Sequence, residues 1–143
     1  MMLMPARTIS VSIARSPDAV YAYACDVRNL PHWAPGFAKA VRRGAQGWEV
    51  DTADGSVGFE FVPPNELGVL DHRVLVSAEP AVWNHMRVIS NGDGAEVLFT
   101  LFQPTGVADE DFRGDLDLVE SDLMTLKRLL EEDQRQGAGS LQP

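Results

Sequence analysis

Residues 109–130, DEDFRGDLDLVESDLMTLKRLL, decide the fold. Phe112, Leu116, Val119, Leu123, Leu126 and Leu130 recur at steps of four and three, which lines them up on one face of a helix. Asp109, Glu110 and Asp111 suit the positive end of the helix dipole, and Lys127 and Arg128 suit the later turns. The spacing predicts an amphipathic helix of about 24 residues, with its apolar stripe laid on a sheet. Beyond it, Gly137-Ala-Gly-Ser-Leu-Gln-Pro143 offers small and polar residues that cannot offset the entropy of ordering. A single domain over 1–136 with a flexible tail over 137–143 is therefore expected.

Upstream, from Phe37 to Gln103, the punctuation is that of an antiparallel meander. Asp54-Gly55 and Asn91-Gly-Asp-Gly94 are hairpin turns, and Arg43-Gly-Ala-Gln46 and Ser77–Ala81 read as loops. Centring each turn predicts a register in which Val50 faces Phe59, Trp48 faces Phe61, Met86 faces His72 and Phe99, and Val88 faces Leu70 and Val97. The apolar residues then share one face across five strands. Farther upstream, Ile9, Val11 and Ile13 alternate with Thr8, Ser10 and Ser12, the period of a half-buried strand over Arg7–Ala14. Ser16-Pro17-Asp18 starts a helix that runs to about Asp26. The prolines flanking Trp33, Pro31 and Pro35, mark a broken helix or tight connector.

The whole-chain arithmetic narrows the function. A length of 143 residues suits one domain, and no apolar run approaches the roughly 20 residues of a membrane span. Twelve Lys and Arg against twenty-one Asp and Glu leave a net charge of −9, the wrong sign for neutralising phosphates, so nucleic acid is not an expected partner. The lone Cys25 forms no intramolecular disulfide, and the N-terminus lacks the pattern of a secretory signal, so a cytoplasmic location is expected. His32, His72 and His85 lack paired-ligand spacing, and there is no phosphate-binding glycine loop or serine elbow. No metal and no cofactor are expected.

The order of elements resembles the START-like superfamily, specifically its polyketide cyclase/dehydrase-type bacterial SRPBCC members. The resemblance is carried by Ser16-Pro-Asp-Ala-Val-Tyr21, Asn29-Leu-Pro-His-Trp-Ala-Pro35, Gly68-Val-Leu-Asp-His72, Met86-Arg-Val88 with Asn91-Gly-Asp-Gly94, and Asp122-Leu-Met-Thr-Leu-Lys-Arg-Leu-Leu-Glu131. It implies an α+β helix-grip fold. A curved antiparallel sheet of about seven strands wraps a long C-terminal helix, with two short helices after the first strand. It also implies an apolar cavity between sheet and helix, lined or filled by Trp48, Val50, Phe59, Phe61, Leu70, Val74, Met86, Val88, Val97, Phe99 and Leu101. Trp33 would sit over one end as a lid or a cap.

Among polar residues His72 stands out, because alternation with Leu70, Val74 and Val76 turns it inward, where it orients a ligand, serves as acid/base, or is satisfied by a neighbouring group. Asp71 projects to the other side, so the two form no dyad, and it falls opposite Arg87 on the outer face with Glu60 and Arg73 nearby. Asn84 lies inward beside Val82 and Met86, and Thr52 and Thr100 could add a hydroxyl. Lys39 is carried inward by the register of Phe37 and Val41 unless it snorkels or the strand is bulged. One of Tyr21 and Tyr23 packs inward. The expected function is binding of a small hydrophobic molecule, a lipid, polyketide or aromatic metabolite, through Trp33, Trp48, Phe59, Phe61, His72, Asn84, Met86 and Phe99. The alternatives are a cyclase/dehydratase-type enzyme using His72, or an interaction module with a filled core. The expected partners are a small apolar ligand and a possible homodimer.

Overall fold

The computed structural model describes the backbone of residues 1–140 and side chains through Gln134. Strand β1 (Ala6–Ile13) leads into helix α1 (Pro17–Ala24), a 3-10 turn (Val27–Asn29) and helix α2 (Leu30–Trp33). Strands β2 (Ala40–Gly44), β3 (Gly47–Thr52), β4 (Gly55–Phe61), β5 (His72–Leu75), β6 (Val82–Asn91) and β7 (Gly94–Phe102) follow, and helix α3 spans Asp109–Ser140. The seven strands form one antiparallel sheet in the order β1-β7-β6-β5-β4-β3-β2. After β1 the helices carry the chain to the far edge, and the meander returns strand by strand until β7 pairs with β1.

Local chemistry accounts for these elements. Ser16 caps α1 by accepting a hydrogen bond from the Ala19 amide at 3.2 Å, and Pro17 occupies the first turn, where its missing N–H costs nothing. Gly68 must be glycine: its φ is +72°, and a Cβ there would run into the Val88 carbonyl oxygen. That close approach lets Val88 donate to the Gly68 carbonyl and Leu70 to the Met86 carbonyl, each at 2.9 Å, so residues 68–71 are paired to β6 although β5 itself begins at His72.

The registers differ from expectation in two places. Trp48 pairs with Phe59 and Val50 with Val57, because the β3–β4 loop is Ala53-Asp54 and Gly55 already pairs with Thr52. His72 pairs with Asn84 rather than Met86, and Leu70 bonds to Met86 rather than facing Val88. Both are two-residue slips, and the side-chain period of a strand is two, so every side chain stays on its expected face. Met86 with Phe99 and Val88 with Val97 pair as expected.

The core lies between the concave face and the helices, with Val50, Phe59, Leu70, Met86, Val88, Val97 and Phe99 buried in one cluster with Leu123, Leu126 and Leu130 of α3. Leu116 and Val119 are only half-buried, and Leu116 borders an open groove between α3 and β1. The helix has 32 residues rather than about 24. The expected tail over 137–143 falls partly on its backbone and partly, at 141–143, outside the described residues. Among the described residues no helix is long and apolar enough to cross a membrane.

Candidate functional site

An open cavity of about 850 Å³ lies between α1 and the β3–β4 strands. Its inner wall consists of Trp48, Phe59, Phe61 and Leu70, faced by Tyr21 and Cys25 across the opening. Its lining also includes outward residues of β3 and β4, such as Glu49 and Glu60, so part of the volume is solvent-facing. No described residue of α3 lines it. The cavity expected between the sheet and the long helix is therefore displaced toward α1, because the stripe of α3 is spent on β1, β7 and α2. Between β1 and α3 runs a smaller groove of about 260 Å³, with Ile9 and Leu116 among its walls.

The connector after β4 forms the cavity's second lip, and Asn65 shapes it. The Asn65 carboxamide accepts from the Leu67 and Val69 amides and donates to the Pro63 and Val69 carbonyls, all at 3.0–3.1 Å. Its backbone N–H donates to the Tyr21 hydroxyl at 3.0 Å, tying the lip to α1. Tyr21 and Tyr23 both pack against the core rather than one alone, and because the Tyr21 oxygen accepts that bond, its own O–H stays available as a donor. Cys25 donates weakly to the Ala22 carbonyl, and burial together with Asp26 raises its thiol pKa, so it stays protonated and unreactive.

His72 sits behind this wall and not on it. Its ring stacks on Phe59 with centroids 4.9 Å apart and meets Phe61 and Phe99 edge-on at 5.5 and 5.9 Å. Nδ1 lies 3.0 Å from the Leu70 carbonyl oxygen, which can only accept, so Nδ1 carries the proton. Burial pushes its pKa down to about 4, only partly opposed by that hydrogen bond. The imidazole is therefore neutral near pH 7.

The other singled-out residues distribute as follows. Trp33 is buried at the end of α2, and its Nε1–H has no hydrogen-bond partner among the described residues. Met86 and Phe99 are buried in the core, and Asn84 is half-buried beside His72. Trp33, His72, Asn84, Met86 and Phe99 do not line the cavity, whereas Trp48, Phe59 and Phe61 do. Asp71 pairs with His85 at 3.0 Å rather than with Arg87, and accepts the Met86 amide, a consequence of the β5–β6 slip. Glu60 and Arg73 pair on the outer face at 3.2 Å. Thr52 is used up in the β3–β4 turn, and Thr100 bonds Thr8, so neither supplies the interior with a hydroxyl. Lys39 precedes β2 and reaches outward to the Pro35 carbonyl at 2.9 Å.

Two residues were missed by reading the sequence. Asp122, inside the apolar stripe of α3, is buried and accepts the Gly36 amide at 3.0 Å, holding the connector after α2 against the helix. Burial raises its pKa despite that bond. Arg43, expected in a loop, belongs to β2. It is the inward residue two beyond Val41 on β2, and its guanidinium lies 4.8 Å from the Trp48 ring centroid. Extending the alternation Val41, Arg43 would have found it.

Among solved structures, the protein XoxI from Bacillus cereus matches 92% of this chain and 99% of its own, at 19% identity and a TM-score of 0.69. A START superfamily protein from Mycobacterium smegmatis covers 89% of this chain and 97% of its own, at 12% identity and a TM-score of 0.65. The chain has the START-like, helix-grip fold. The Zhui aromatase/cyclase from Streptomyces shares this START-like fold over 90% of this chain and 94% of its own, at 16% identity and a TM-score of 0.61. No family model matches the sequence, and neither does any curated protein.

Proposed function

We propose that the protein binds a small hydrophobic molecule, a lipid, polyketide or aromatic metabolite, in the cavity between α1 and β3–β4. The observation that carries this is the inner wall itself, where the half-buried Trp48 and Phe61, backed by the buried Phe59 and Leu70, turn apolar surface toward an open space whose polar groups, Arg43, Glu49 and Glu60 among them, come from the surrounding strands. Filled cores are close-packed, and an interaction module would have no use for this space. The likeness to an aromatase/cyclase brings catalysis into view, but acid/base work requires convergent titratable groups. His72 is neutral, is spent on the Leu70 carbonyl and stands behind Phe59, so as a proton donor near pH 7 it is populated at about one part in a thousand. Catalytic, cofactor and metal roles are assigned to none of these residues.

A neutral solvatochromic dye such as Nile red should bind at one saturable site and be displaced by decan-1-ol. Trp48→Ala should weaken binding about tenfold, while His72→Gln leaves it nearly unchanged. Titration of a broad lipid and aromatic library that finds no saturable site would refute the binding function.

A further inference from the structure

We infer that the cavity takes an amphiphile with a carboxylate head, held at the rim by Arg43; this rests on the binding function proposed above. Arg42 and Arg43 are adjacent on β2 and point to opposite faces. Arg42, outward, is paired with Glu49 and Asp51. Arg43, inward, lies over the Trp48 ring and lines the cavity, and no carboxylate among the described residues pairs with it. A π face offers no hydrogen-bond acceptor in the plane of the guanidinium, so the contact with Trp48 leaves Arg43 with N–H donors in the fork that matches a carboxylate. In a chain with twenty-one carboxylates to twelve cations, a cation at a cavity lip without an acidic partner is a site for an anion from outside.

The apolar path beside it fixes the rest of the ligand. Trp48, under Arg43, is paired across the strands with Phe59, and Phe59 meets Phe61 with ring centroids 4.9 Å apart. An acyl chain or fused ring attached to the head lies along these rings, and the Tyr21 O–H on the opposite wall can donate to an oxygen on it. The net charge of −9 repels a dianion more than a monoanion, which favours a carboxylate over a phosphate monoester.

The test compares decanoate with decan-1-ol, equal in chain length, by calorimetry at pH 7.5 and low salt. In the wild type and in Arg87→Gln, an outer-face change of equal charge, the decanoate-to-decanol affinity ratio should be the same. In Arg43→Gln it should fall about tenfold, the size of one charge-assisted hydrogen-bonded pair at a partly exposed site. A ratio unchanged by Arg43→Gln overturns the carboxylate assignment while decanol binding keeps the apolar cavity. Absence of saturable binding for both compounds overturns the binding function and this inference with it. Decyl phosphate should bind more weakly than decanoate, and tighter binding would transfer the head group to phosphate.

Discussion

Leu123→Ala is expected to lower the unfolding free energy by about 2–5 kcal/mol, the range for removing a buried leucine and leaving a cavity. Leu123 is 1% exposed, and with Leu126 and Leu130 it forms the part of α3 that enters the core. The neighbouring Met124 is 51% exposed, so Met124→Ala should stay within about 0.5 kcal/mol of wild type. Urea denaturation of the two variants decides the matter. Equal losses, or a loss under about half a kcal/mol for Leu123→Ala, would mean that α3 does not grip the sheet through this residue.

His72 should make folding stability depend on pH between about 4 and 6.5. Its pKa is about 4 when folded and 6.5 when exposed, so in that window the unfolded chain binds the extra proton. Stability from the buried neutral imidazole is present above the unfolded value and is lost as pH falls toward the folded one, amounting to about 3 kcal/mol at 1.36 kcal/mol per unit. Asp122, with a raised folded pKa, works in the opposite direction, and so does relief of the net negative charge. The diagnostic quantity is therefore the difference between wild type and His72→Gln, measured by denaturant titration from pH 7.5 to pH 4.5. That difference should shift steadily in favour of the variant as pH falls. A difference constant across the window would show that His72 is not held neutral by burial.

The sequence by itself determined the elements and their faces. The three-and-four spacing of α3, the alternation of Ile9, Val11 and Ile13, and the Ser16 cap are set within a few residues, and they were legible for that reason. The inward direction of His72 and the impossibility of an Asp71–His72 dyad were equally local facts, since strand alternation needs no partner. Trp48, Phe59 and Phe61 were legible as inward apolar residues on the same grounds. Only the tertiary structure decided how the strands slide, because register depends on how many residues each loop consumes: Ala53-Asp54 closes one hairpin earlier than its glycine suggests, and Gly68 admits Val88 too closely for the expected pairing. That is why Asp71 found His85 instead of Arg87. Only the tertiary structure placed the cavity, too, since empty space is set by where packing stops, and α3 stopped at β1 and left the wall of Tyr21, Arg43 and Trp48 open. These residues come from α1, β2 and β3, and no local pattern records that they meet.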